Sequence, residues 1–506
     1  MASATIIADR DFVIDRVSPR VFGSFIEHLG RAVYGGIYEP GHPTADRNGF
    51  RQDVLALIRE LGVTVVRYPG GNFVSGYRWE DGIGPSEKRP ARRELAWMST
   101  ETNEFGTDEF VDWGRLAQLE PMLAVNLGTR GPAEAGDMYE YCNHPAGTAL
   151  SDLRIANGHR DPHNVRLWCL GNEMDGSWQM GAKTAQEYGR SALESAKLMY
   201  YPDMNRSGTD LFKPEFIVCG SSGRGMPTFG TWDEQVLEQC FDKVDYLSVH
   251  SYTSPRNADP LSYLAFGDTT MGPLIREVTA ICDAVAAKRK SSKRVHLSYD
   301  EWNVWRGDEA KPFAAWTKAP KMLEDVYTLA DALCVGGMLI TLMNHCDRVK
   351  VACLAQLVNV IAPIMTRNGG PAWRQTIFHP FAAASRLGRG TVLRQVANGP
   401  TVKSGSNDIN LLSSCLVRQD NGDVTLFAVN RDLEKPLSVD IDLRGFPKLR
   451  LANWSVMDGD LAEKNTEAQP DRVKPRSHKA AAGETQSSPV TVTLPKASWN
   501  VLEFAV

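Results

Sequence analysis

Two glutamates in this 506-residue chain stand where paired carboxyl groups can do acid–base and nucleophilic work. Glu173 closes the segment Trp168-Cys-Leu-Gly-Asn-Glu173, and Glu301 lies within Leu297-Ser-Tyr-Asp-Glu-Trp-Asn303. Each follows or ends an apolar run that reads as a β-strand. Two carboxyls facing each other suit glycosidic bond cleavage, because one protonates the departing oxygen while the other meets the positive charge growing at the anomeric carbon. A single glutamate at a strand end is more often solvated or salt-bridged, so the weight rests on the pair. Trp79, Trp97, Trp178, Trp302 and Trp305 fall in or near the same loops. Flat apolar faces of this kind stack on sugar rings, although core packing accounts for some of the five.

Further polar residues sit at other strand ends: Glu27-His28, Arg67-Tyr-Pro-Gly-Gly-Asn72, Asn126, His250-Ser-Tyr252 and Gln356. Together they offer the carboxylate, guanidinium, amide and phenol groups that a ring with several hydroxyls requires. Taken singly, each is as readily a buried structural polar group. No Gly-x-Ser-x-Gly elbow and no phosphate-binding Gly-x-x-x-x-Gly-Lys-Ser/Thr loop occurs. Cys142, His144, His159 and His163 form the best metal-ligand candidate, but a structural loop is the better reading, and neither metal nor organic cofactor is expected.

The elements that must hold these groups are legible as alternation. Between about residues 20 and 385, short runs rich in β-branched residues recur at Val21–Leu29, Val63–Tyr68, Met122–Leu127, Val165–Leu170, Phe216–Cys219, Val244–Val249, Val295–Tyr299 and Gly337–Leu342. They are near-continuously apolar, as parallel strands covered on both faces are. The segments between them read as helices. Val54, Leu57, Ile58 and Leu61 fall at i, i+3, i+4, i+7 before Gly62, and Thr184-Ala-Gln-Glu187 and Thr231-Trp-Asp-Glu234 read as capping boxes. Eight strands alternating with helices predict an α/β fold, a (β/α)8 TIM barrel, over 20–385. A doubly wound open sheet is the alternative, but no Gly-x-Gly-x-x-Gly follows the first strand. In a barrel the strand ends named above share one face, where reacting groups gather.

After about residue 386 the pattern changes to period-two strands from Cys415 to Phe504, with Asn421-Gly422 as a hairpin turn. This predicts a C-terminal β-sandwich of jelly-roll type over 386–506, which the N-terminal strand at 1–19, with Ile6, Ile7, Phe12 and Ile14, joins. The polar stretch from about 460 to 488 reads as a mobile surface loop, and Lys288-Arg-Lys-Ser-Ser-Lys-Arg294 as a solvated turn at the barrel bottom.

Composition narrows the class. With 42% apolar residues, 23% charged and a formal charge of −5, the chain is ordinary globular material with no electrostatic case for nucleic acid or a membrane surface. The nine cysteines are scattered singly, which fits reduced thiols and a cytoplasmic location. No secretion signal or membrane span is visible.

Five blocks then carry a family resemblance: Gly23-Ser-Phe-Ile-Glu-His-Leu-Gly30, Arg67-Tyr-Pro-Gly-Gly-Asn-Phe-Val-Ser-Gly-Tyr77, Trp168-Cys-Leu-Gly-Asn-Glu-Met-Asp-Gly176, Asp300-Glu-Trp-Asn-Val-Trp305 and Ala355-Gln-Leu-Val-Asn-Val-Ile-Ala-Pro363. In this order they resemble the α-L-arabinofuranosidases of glycoside hydrolase family 51. The resemblance implies a barrel with a C-terminal β-sandwich and exo-acting release of terminal arabinofuranosyl units with retained configuration. It implies Glu173 as general acid/base and Glu301 as nucleophile. It places Glu27, Arg67, Asn72, Asn172, Tyr252 and Gln356 along the sugar, with Trp97 and Trp305 shaping the walls, and it implies arabinofuranosyl saccharides as partners and a homo-oligomer. Two departures stand out, Ser177 where Pro is expected and Asn344-His-Cys346 where Arg-His-Ala is more usual. A β-xylosidase or β-glycanase on the same scaffold, and a non-catalytic carbohydrate-binding protein, remain as alternatives.

Overall fold

The computed structural model describes residues 2–200, 213–307, 313–405, 407–446, 449–478 and 489–505. Eight parallel strands close into a barrel in chain order: Gly23–Phe25, Val65–Tyr68, Glu120–Val125, Leu167–Leu170, Glu215–Val218, Tyr246–Thr253, His296–Val304 and Val349–Leu354. The last pairs with the first through Cys353 and Leu354 opposite Gly23 and Ser24. Helices follow most strands, and the expected capping details recur. Gly62 ends the helix Gln52–Leu61 at φ 77°, and Thr184 caps Ala185–Met199 through the amide of Glu187. The third expected cap is displaced by one residue. Thr231 is already helical, and the Asp233 carboxylate instead accepts from the Gly230 amide at 3.0 Å.

One strand was misassigned from sequence. Gly337–Leu342 lies inside the helix Leu329–Asn344, and the eighth strand is Val349–Leu354. The helix is buried from Ala332 to Met343 because the barrel covers one side and the C-terminal sheet the other. A helix wrapped on both sides loses its polar stripe and then looks like a covered strand. Gly336 marks the closest approach: a Cβ there would lie 2.5 Å from the Trp499 ring of the sheet.

The C-terminal unit is a nine-stranded sheet. The N-terminal strand Ala2–Arg16 enters it between Thr391–Asn398, antiparallel, and Leu437–Arg444, parallel. Alternate residues from strands at both ends of the order, among them Trp454 and Val492, meet in one core, so the sheet folds over itself in two layers. The Asn421-Gly422 turn joins Leu412–Arg418 to Val424–Asn430 as the sequence suggests. Of the expected loop at 460–488, residues 479–488 lie outside the described residues. The rest is docked: Leu329 and Ala330 amides bond to Glu463 and Leu461 carbonyls, and Asn465 is buried with two bonds to Val473. The basic turn is tied to the neighbouring helix end, with Lys293 donating to the Phe241 carbonyl at 2.8 Å. Both departures at 344 and 346 face the sheet, through Asn344 to the Ser414 carbonyl and Cys346 to that of Asp15. All nine cysteines are buried and free, and no helix among the described residues is long and apolar enough to cross a membrane.

Candidate active site

The chemistry gathers at the carboxyl ends of the barrel strands. Strand seven carries Glu301 beside His250 of strand six, with Asn303 beside Tyr252. The ladder shifts register between Ser298 and Glu301, so the adjacent acids Asp300 and Glu301 both take part in the central network where a regular strand would send one outward. Glu173 follows strand four after the turn Gly171-Asn172 and holds a left-handed φ of 44°, a conformation that costs an L-residue about 1–3 kcal/mol.

Glu301 is gripped at both oxygens. Arg67 Nη1 donates to Oε1 at 2.6 Å and the Tyr252 hydroxyl donates to Oε2 at 2.8 Å. Arg67 is itself buried, lies over the Phe25 ring at 4.7 Å, and donates to Asn172 Oδ1 at 2.6 Å. Asn172 in turn reaches Asn72, which also accepts from the Gln179 amide. The paired glycines of Arg67-Tyr-Pro-Gly-Gly-Asn72 let the main chain come close: a Cβ on Gly71 would sit 3.0 Å from Glu301 Oε1, and one on Gly70 would sit 2.7 Å from Glu27 Cγ.

Glu173 accepts the Trp178 indole N–H at 2.8 Å and meets His250 Nδ1 at 2.8 Å. One ligand atom each from Glu173, His250 and Glu301 lies within 4.8 Å of the others. Both carboxyls also touch solvent, with side chains 13% and 9% exposed. Burial alone would lower the titration of His250, but Glu301, Asp300 and Glu173 together raise it well above the usual imidazole range. Asp300 is held below the carboxylate range despite its burial, by Arg67 and His250.

Glu27 forms a second wall. Its Oε1 accepts the Phe73 amide at 2.8 Å and the Trp97 indole at 3.0 Å, and Gln356 bonds to its main-chain amide at 3.0 Å. Burial pushes its carboxyl up to about 8. Trp305, 38% exposed, stands edge-on to Tyr252 with ring centres 5.6 Å apart.

All ten residues expected at the site therefore lie in one connected network. Several neighbours named with them do not. His28 is buried beside Tyr68 and Glu101, Asn126 builds its own loop through the Gly128 and Thr129 amides, and Trp79 and Trp302 are core. The candidate metal set separates as well: His159 and His163 cluster with Asp108 instead of Cys142 or His144. Of three further residues at the centre, His250 and Trp178 were named only with their strand end and among the loop tryptophans and were given no role, and Asp300 was not singled out. His250 had a signal, since it lies two residues before Tyr252 on the same strand face. Asp300 had none without the register shift.

Comparison with known proteins settles the family. Residues 57–261 match the profile of the α-L-arabinofuranosidase 1 domain, and residues 300–498 that of the α-L-arabinofuranosidase C-terminal domain. An intracellular exo-α-(1→5)-L-arabinofuranosidase of Halalkalibacterium halodurans is 49% identical, over 99% of each chain. The chain belongs to the α-L-arabinofuranosidases of glycoside hydrolase family 51. Within this family an exo-α-(1→6)-L-arabinofuranosidase of Bifidobacterium longum is 46% identical, over 99% of this chain and 97% of that one. The solved family 51 enzyme AbfB of Bifidobacterium longum superposes with a TM-score of 0.93 at 45% identity, covering 100% of both chains. The barrel and C-terminal sheet are thus the architecture of this arabinofuranosidase family.

Proposed function

We propose that the protein is an exo-acting, retaining α-L-arabinofuranosidase that releases terminal arabinofuranosyl units from oligo- or polysaccharides by double displacement, in the cytoplasm. The observation that carries the mechanism is the approach of Glu173 and Glu301 oxygens to within 4.8 Å across a solvent-touching gap. Retaining glycosidases need carboxyls about 5–5.5 Å apart, whereas inverting ones leave about 6.5–9.5 Å for a water. The names of the relatives at 49% and 46% identity support the substrate and the exo mode, and the word intracellular in the first supports the location.

In the first step a Glu301 oxygen attacks the anomeric carbon while the bond from that carbon to the leaving oxygen breaks. Glu173 delivers a proton to that oxygen. Arg67 and Tyr252 meet the charge of Glu301 before attack, and His250 sits between the two carboxyls, so the Glu173–His250 pair keeps a proton at the point of use. In the second step Glu173 takes a proton from water, whose oxygen displaces Glu301 from the anomeric carbon. Burial raises the Glu27 carboxyl to about 8, which favours its neutral form and limits the negative charge beside the sugar. Asn172, Asn72 and Gln356 supply amides for the ring hydroxyls, and Trp97 and Trp305 its apolar walls.

Product analysis by NMR on arabinose-bearing oligosaccharides tests this reading. Release of single arabinose units first seen as the α-anomer is expected. First appearance of the β-anomer, or faster hydrolysis of a nitrophenyl β-xyloside than of the α-L-arabinofuranoside, would overturn it.

A further inference from the structure

Trp97 sits on an exposed turn whose far side is tied to a neighbouring segment, the Trp316 amide donating to the Met98 carbonyl at 2.7 Å. The turn joins two three-residue strands, Arg92–Glu94 and Ser99–Glu101, and a cavity of about 180 Å³ opens against it, lined by Phe73, Tyr77, Leu95 and Ala96 among others. Leu95 and Met98 are more than half exposed and the Trp97 ring is only partly buried against the core, so apolar burial alone does not fix the turn. Hydrogen bonds must. The Glu94 carboxylate supplies those on the side of the tryptophan: Oε1 accepts the Ala96 amide and Oε2 the Trp97 amide, each at 2.7 Å.

Glu94 is an expensive way to close a turn. It is 7% exposed, no cation pairs with it among the described residues, and burial pushes its carboxyl up to about 7. An apolar or amide residue would close a purely structural turn with no buried acid. What the carboxylate does secure is the placement of one side chain, because the Trp97 indole leaves this turn to bond with Glu27 Oε1 at 3.0 Å.

We propose that Glu94 is a positioning residue for the sugar site: by holding the main chain of Ala96 and Trp97 it sets the Trp97 indole against Glu27 and so fixes one wall of the subsite. The proposal rests on the reading above that Trp97 and Glu27 flank the bound sugar. A Glu94→Ala variant removes both acceptors, and Glu94→Gln keeps the shape with one. For nitrophenyl α-L-arabinofuranoside, Glu94→Ala is expected to raise KM about tenfold while kcat changes less than about threefold, and Glu94→Gln to recover part of the loss. Trp97→Phe should raise KM similarly. The decisive measurement is the double variant, which should match Trp97→Phe alone if Glu94 acts through the indole. Full additivity, or a loss confined to kcat, would overturn the proposal.

A crystal structure of Glu94→Ala, which lacks both acceptors, separates this claim from the functional one. It should show the 95–98 turn displaced and the indole out of reach of Glu27, whatever the enzyme hydrolyses. An unmoved turn refutes the positioning role even if the parent is an arabinofuranosidase. A parent inactive on every arabinoside refutes the functional reading and leaves the displaced turn standing.

Discussion

The molecule holds two clusters built from the same side-chain types, and only one is arranged for chemistry. At the barrel mouth His250 stands among Glu173, Asp300 and Glu301; at the side of the barrel His163 and His159 stand beside Asp108. In the second cluster each contact is consumed by structure. Asp108 accepts from Tyr141 at 2.7 Å and meets His163 at 2.8 Å, and Arg154 next to it spends its guanidinium on the carbonyls of Tyr141, His144 and Pro145. Burial outweighs the single acid there, so His163 is lowered, whereas three acids outweigh burial at His250 and raise it. A histidine with one carboxylate is a strut. A histidine shared by three, one of them the partly exposed Glu173, is a place to keep a proton.

The sharpest way to break this contrast is to remove one acid at the mouth. Glu301→Ala should lower kcat on nitrophenyl α-L-arabinofuranoside by about 10⁴-fold or more while the circular dichroism spectrum at 25 °C stays near the parent's. Near-normal turnover would return the two clusters to equal standing. Glu173→Ala should cost about 10²–10⁴-fold on substrates whose leaving oxygen needs a proton, and much less on a dinitrophenyl leaving group that does not. Added azide should then restore turnover and yield a glycosyl azide, since a small anion can enter where the general base no longer activates water. An equal loss on both leaving groups would remove Glu173 from the proton-donor role.

His250→Asn comes next in size, with kcat expected to fall about ten- to a hundredfold as the pair at 2.8 Å from Glu173 loses its shared proton. A change confined to KM would show that His250 merely shapes the wall.

How far the sequence disclosed this contrast depends on what each residue's neighbours do. Strand-end glutamates and the aromatic rim are local patterns, and the structure brings Glu173, Glu301, Arg67 and Tyr252 together at the strand ends. Three kinds of information were not local. The helix Leu329–Asn344 is apolar all round because two domains' worth of surface covers it, which period alone cannot tell from a strand. Asp300 reaches Arg67 and His250 only because the ladder slips between Ser298 and Glu301. Asp108 is separated by some fifty residues from the histidines it holds, so the set Cys142, His144, His159 and His163 looked like the cluster while its real partner lay elsewhere in the chain.

Titration of stability sharpens the comparison from another side. Glu27 is raised from 4.5 to about 8 in the folded protein, so between those values the native state binds more protons than the unfolded chain and stability falls as pH rises. Glu27→Gln deletes that term. Its unfolding free energy relative to the parent's should climb from pH 5 to pH 8 and level off above, by an amount on the order of a few kcal/mol. A flat difference would mean that Glu27 is ionised at the mouth and that its role beside the sugar must be rewritten.

The smallest effect on catalysis belongs to the side cluster. Asp108→Ala leaves the His163 ring and the Tyr141 hydroxyl buried without their acceptor, a loss of about 1–3 kcal/mol that lowers Tm by a few degrees. Burial alone would raise Asp108, but the bonds from His163 and Tyr141 bring it below 3.8. Its stabilisation is therefore present above that value and disappears as pH falls through the lower folded one, the reverse of Glu27. The Tm deficit of Asp108→Ala should accordingly be full at pH 7 and shrink below about pH 4, while kcat/KM at pH 7 and 25 °C stays within about twofold of the parent. A large loss of kcat/KM with unchanged Tm would show that the side cluster reaches the barrel mouth after all, and that counting open carboxylates around a histidine is the wrong way to tell a site from a strut.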